Sequence, residues 1–169
     1  ENRYIIDEAA DVAWLGKNAS TLESNKTFIL TKDIDMAKKD GLSSIELPVG
    51  STLDGGGHTL KGLKLNNALL GDVADITVKN LKIEEAVVEN TSSATTHVGV
   101  LVNTLKGSNI FSGIHITKSS VSTENGAAGG IVGYISRKDP NNRQESLSVT
   151  FDDCHVTETT VDGPLAEGH

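Results

Sequence analysis

The amino-acid sequence predicts a mostly β chain folded as a right-handed single-stranded parallel β-helix, a solenoid, with a short N-terminal capping helix. Three observations predict it. The composition, with 17 Gly, 3 Pro and 4% aromatic residues, favours strands joined by tight turns over a helical bundle. A degenerate repeat recurs along the chain, and its strands end in an aliphatic-any-aliphatic step. One segment near the start carries helical features that the repeat lacks.

The repeat emerges when the chain is aligned with itself. Three segments, 80–88, 113–121 and 153–161, match without gaps. Alternation places Leu81 with Ile83, Ile114 with Ile116, and Cys154 with Val156 on one inward face, and Lys82, His115 and His155 on the other. The odd spacing to Val88, Val121 and Val161 requires a bend, after which these side chains turn inward again. A second landmark precedes each copy at 69–73, 101–105 and 131–135. Its third residue is Gly71, Asn103 or Gly133, types that accept a positive φ. The segment 62–65 reads as an earlier strand-end step, and 32–36 as a fainter one. From Leu65 through Ile83 and Ile116 to Val156 the steps are 18, 33 and 40 residues, so the copies share a frame but carry unequal insertions. The polar, turn-rich segments 90–97 and 137–145 are those insertions, expected on one side of the solenoid.

The segment 7–16 departs from this pattern, with acidic residues in its first turn, helical apolar spacing and a terminal Gly. It is the expected capping helix, just before the first strand, 27–36, where it covers the exposed core of the end coil, with Trp14 in the core of the cap. The chain thus reads as one domain, 1–169, with a cap region at 1–27 and coils at 28–169, cut from a longer protein. No cap is recognisable at 163–169, so end-to-end self-association through the last coil is expected.

A net charge of −8 and a pI near 5.0 argue against nucleic acid and anionic membrane surfaces as partners. Cys154 is alone, which leaves no internal disulfide and no thiolate metal cluster. No apolar run is long enough for a membrane span, and the first residues lack the features of a signal peptide. The chain is therefore either cytoplasmic or a mature fragment of an exported protein.

A family resemblance favours export. Tyr4-Ile5-Ile6 followed by the Ala-rich helix and 28–36, then Leu53-Asp54-Gly55-Gly56-Gly57-His58-Thr59-Leu60, and then Gly130-Ile131-Val132-Gly133 resemble the GLUG-motif β-helix proteins over most of the chain. The departures are Asn103 where the signature has Gly, and Leu69-Leu70-Gly71 where an aromatic is common. The resemblance implies an adhesin-like protein of Gram-negative gut bacteria, secreted or anchored at the outer membrane, without catalytic residues or cofactor.

Most of the chemically capable side chains also have an ordinary structural role. Asp33, Asp35 and Asp54, with His58 nearby, are the acidic candidates for a polysaccharide lyase or hydrolase. Asp33 and Asp35 flank a strand end, however, and Asp54 opens a glycine turn where an Asx hydrogen bond accounts for it. No calcium loop is present. His115 and His155 share one repeat position and could bind a metal or form a pH-sensitive patch, but a solvated outer ladder with Lys64 and Lys82 is the expected reading. Cys154 is expected to be a buried, inert thiol. Asp11, Glu84, Glu85, Asp152 and Asp153 are expected to be solvated charges. Tyr4 and Tyr134 lie too far apart to suggest a sugar-stacking row. The run 126–133 lacks the Lys-Ser/Thr ending of a phosphate loop and reads as a turn feeding a strand. The expectation is a non-catalytic surface module without metal or cofactor, facing a glycan or a host protein. A carbohydrate-active enzyme and a structural stalk are the alternatives.

Overall fold

The computed structural model describes residues 2–164, so Leu165 to His169 of the segment expected to lack a cap lie outside the described residues. The chain is mostly β, with one short helix, and every strand pairing is parallel. A nine-stranded sheet contains β1 (Arg3–Ile6), β2 (Thr27–Leu30), β3 (Ile34–Asp35), β4 (Thr52–Asp54), β5 (Thr59–Lys61), β8 (Thr77–Glu84), β12 (Ser108–Thr117), β16 (Ser148–Asp152) and β17 (His155–Thr157). A four-stranded sheet holds β6 (Lys64–Leu65), β9 (Val87–Asn90), β13 (Ser120–Thr123) and β18 (Thr160–Asp162). β7 (Leu70–Ala74), β11 (Val102–Lys106) and β15 (Val132–Ser136) form a third sheet, and β10 (Val98–Gly99) pairs with β14 (Ala128–Gly129).

Equivalent residues of successive copies face one another in register, so each inward position becomes a column. Phe28, Leu53, Val78, Phe111 and Phe151 form one. Ile34, Leu60, Ile83, Ile116 and Val156 form another, and Leu65, Val88, Val121 and Val161 a third. Leu81, Ile83, Ile114 and Ile116 are fully buried, as are Val88 and Val121. In the last copy, by contrast, Val156 is 37% and Val161 45% exposed, although both keep the register. They belong to edge strands with no further strand on their outer side among the described residues, so one flank of each side chain meets solvent. Cys154, expected to be buried, is half-buried for the same reason and still packs on the core.

Leu65 pairs with Val88, while the partner of Ile83 is Leu60. The segment 62–65 is therefore equivalent to 85–88 rather than 80–83. Equivalent residues from Ile34 onward are separated by 26, 23, 33 and 40 residues. Leu63-Lys64-Leu65 lies after the bend, where Ala86-Val87-Val88 lies in the next copy, and aligning it with Leu81-Lys82-Ile83 displaced that copy.

Besides Gly41, Gly56 and Gly126, positive φ recurs at three bends, and it does not fall at Gly71, Asn103 and Gly133. Asn25, Gly50, Asp75 and Gly107 form one left-handed column, and Gly57, Asn80, Gly113 and Asp153 a second. Gly62, Glu85, Lys118 and Glu158 form the third. Side chains and glycines interlock within a column. A Cβ on Gly107 would collide with the Asp75 carboxylate, which accepts the Ser108 N–H at 2.8 Å. Gly71 and Gly133 serve close approach instead, since a Cβ there would strike the Glu46 carboxylate and the Val98 backbone respectively. Asn103 replaces that small residue with a paired amide. Its Oδ1 accepts the Ala68 N–H at 2.8 Å and its Nδ2 donates to Asn67 Oδ1 at 3.1 Å.

Where a bend interrupts the backbone ladder, a side chain of the next copy accepts the freed N–H, as a buried amide requires. Ser51 Oγ accepts from Lys26, Asn109 Oδ1 from Ile76 and Ser119 Oγ from Ala86, at 3.0–3.1 Å. No buried side-chain nitrogen or oxygen among the described residues lacks a partner.

The capping helix α1 spans Ala9–Asn18 and lays Val12 and Leu15 on the core. Asp11 Oδ2 accepts the Glu8 N–H at 3.2 Å, closing its first turn. Trp14 is 46% exposed rather than in the core of the cap, because the buried face runs through Val12, Leu15 and Ala19 and position 14 falls beside it. Tyr4 stacks on its ring at a centroid distance of 6.5 Å. The two insertions are not on one side: 90–97 runs on from the end of β9, whereas 137–145 follows β15, at a different bend.

Two outcomes follow for stability. Ile116→Ala should cost about 3–4 kcal/mol in urea unfolding, whereas Val156→Ala, one copy later in the same column, should cost less than about 1 kcal/mol. Lys118→Gly should raise stability by up to about 1 kcal/mol by relieving the left-handed backbone, while Lys118→Val should lower it.

Candidate functional site

A polar cleft of about 340 Å³ opens beside the third sheet, assembled from three separate parts of the chain. Ile45 bridges to Leu70 and points into the core, which turns its neighbours Ser44 and Glu46 outward. On β7 the adjacent Val73 is buried, and Asp72 faces outward and lines the cleft. Asn103 and Thr104 come from β11, Asn67 from the preceding bend, and Thr95, Thr96 and His97 from the insertion after β9. None of the described lining residues is Lys or Arg.

Glu46 is the chemically distinct group here. Its Oε2 accepts the Asp72 N–H at 3.2 Å, an approach that Gly71 permits by having no side chain. Burial, and then the neighbouring Asp72 carboxylate, push the Glu46 carboxyl above the ordinary carboxylate range. His97 Nδ1 accepts the Ala127 N–H at 2.9 Å, so the neutral imidazole carries its proton on Nε2 as a donor. The His97 ring stacks on Tyr134 at 4.6 Å, and Tyr134 is half-exposed. The cleft thus gathers amide, hydroxyl, imidazole and carboxylate groups beside an aromatic face, with no cation. It can hydrogen-bond neutral hydroxyl groups and repels anions.

The acidic residues singled out from the sequence do not converge on this cleft. Asp33 Oδ1 accepts the Thr59 N–H at 2.9 Å and lies 3.3 Å from His58 Nδ1. The Thr59 amide is the main reason its carboxyl sits below the usual range. Asp35 accepts the Ala37 N–H and Asp54 the Gly56 N–H, both at 2.9 Å, so each closes a local turn. Residues 126–133 form a turn leading through β14 toward β15.

His115 and His155 are adjacent, as their shared repeat position requires, with ring centroids 5.0 Å apart. Asp153 is not a simple solvated charge: its carboxylate lies 2.9 Å from His155 Nε2 and 3.6 Å from His115 Nε2. The hydrogen bond from His155 is the main cause of its lowered pKa. Sequence reasoning missed Glu46, Asp72 and His97 altogether. Their only signal was the Gly at position 71, read there as a turn requirement.

No protein family, curated protein or solved structure matches this chain.

Because its pKa is raised on folding, Glu46 favours the folded state while protonated, and that contribution is lost as pH rises through the folded pKa. Glu46→Gln should therefore raise the melting temperature at pH 7 by about 1 °C, allowing for solvent screening, and leave it unchanged near pH 4. Scanning calorimetry at the two pH values checks this.

Proposed function

We propose that this chain is a non-catalytic surface module that binds a neutral glycan in its polar cleft. On this reading the four parallel sheets are successive faces of one right-handed parallel β-helix. In-register pairing of every copy supports that, as does the strong general preference of parallel strand connections for the right-handed sense. The sequence resemblance to GLUG-motif adhesin-like proteins fits an extracellular, cell-surface setting. The observation that carries the binding reading is the cleft itself, where Glu46, Asp72, Asn67, Asn103 and His97 converge without a Lys or Arg. No helix among the described residues is long and apolar enough to cross a membrane.

A catalytic reading has one specific observation in its favour. Glu46, whose carboxyl is pushed above the ordinary range by burial and then by the Asp72 carboxylate, has the environment of a general acid in glycoside hydrolysis. Binding and hydrolysis separate experimentally. On an array of neutral and anionic oligosaccharides, neutral glycans should be retained, and His97→Ala or Tyr134→Ala should weaken binding about fivefold through loss of the ring stack. Capture of anionic glycans alone, or of none, overturns the proposal. Release of reducing sugar that disappears in Glu46→Gln makes the protein an enzyme instead.

A further inference from the structure

Away from the cleft, three side chains with metal-ligand chemistry meet on the outer face of the largest sheet. Register pairing of β12 with β17 sets His155 directly beside His115. Asp153 occupies the left-handed position two residues before His155, with φ 50°. One carboxylate oxygen is 2.9 Å from His155 Nε2, and the other is 3.6 Å from His115 Nε2. A donor atom from each residue lies within 4.8 Å of the others, and His115, Asp153 and His155 are all accessible to solvent. A tetrahedral ion with bonds of about 2.0–2.1 Å spaces its ligand atoms about 3.3 Å apart. The two separations run to different carboxylate oxygens, and with one ligand atom per residue the set lies within 4.8 Å, close enough for small side-chain rotations to reach that spacing.

We infer that His115, Asp153 and His155 form a binding site for a divalent transition-metal ion of the zinc type. Two imidazole nitrogens and one carboxylate oxygen suit such an ion, and they offer calcium or magnesium too few oxygens. The set arises only where the second and third copies meet. The equivalent pair in the first copy is Asn80 with Lys82, and in the second Gly113 with His115. Three protein ligands leave a fourth coordination position, and two of them, His115 and Asp153, also line a shallow trough bordered by Asp54, Asn80 and Lys82. Water or an oxygen of a bound molecule completes the coordination there.

Titration calorimetry of the full chain with zinc chloride tests the site. One Zn²⁺ per chain should bind, and neither magnesium nor calcium chloride should produce heat. His115→Ala, His155→Ala and Asp153→Asn should each weaken zinc at least tenfold or so, the minimum that even an outer partner of a metal site contributes. His58→Ala, which alters the histidine in the turn just before β5, should leave the affinity unchanged. All four positions are solvent-accessible, and far-ultraviolet circular dichroism verifies that each variant keeps its strands. In ¹⁵N spectra of the imidazole rings, zinc should shift His115 and His155. Absence of zinc binding, an unchanged affinity in both His115→Ala and His155→Ala, or an equal loss in His58→Ala overturns the site.

Discussion

Parallel hydrogen bonding between equivalent strands fixes the neighbours of each residue in the described strands. A strand paired in register with its counterparts in adjacent copies has no freedom to slip, because a one-residue shift would turn its buried face to solvent. The columns of Phe, Leu, Ile and Val follow from that rule. So do the three left-handed columns, since copies that must remain parallel have to bend at equivalent places. The buried Ser51, Asn109 and Ser119 meet the remaining requirement, that backbone donors released at a bend find an acceptor.

The inward alternation was legible in the sequence because it is local. Leu81, Ile83, Ile114 and Ile116 reveal their face through two-residue spacing alone, and His115 and His155 reveal their adjacency through shared position. The bends were harder to place. Glu85, Lys118 and Glu158 adopt left-handed backbone without any residue-type signature, whereas Gly71 and Gly133, which carry the obvious signature, need space rather than a positive φ. Trp14 shows a related limit, for helical spacing identifies an apolar side chain without telling whether it lies on the covered face or beside it.

Chemistry in this molecule is placed where copies differ. The cleft draws on a segment before β7, on the sheet itself and on an insertion, so residues scattered from Ser44 to Thr104 become neighbours only once register is set. Asp153 reaches both histidines because a left-handed residue, which in other copies is Gly or Asn, is here an acid. A motif search along one stretch of chain has no access to such combinations, whereas stacking sequence positions by register does.

The insertions at two different bends have an evolutionary consequence. Lengthening a flexible loop costs only slowly increasing entropy, so a bend can grow without loosening the strands beside it. One insertion delivers His97 to the cleft, and the other carries Arg137, Lys138 and Arg143, a local excess of positive charge on an acidic chain. Because the two leave from separate bends, their lengths and charges can diversify independently, letting one frame change its surface chemistry at two places without renegotiating its core.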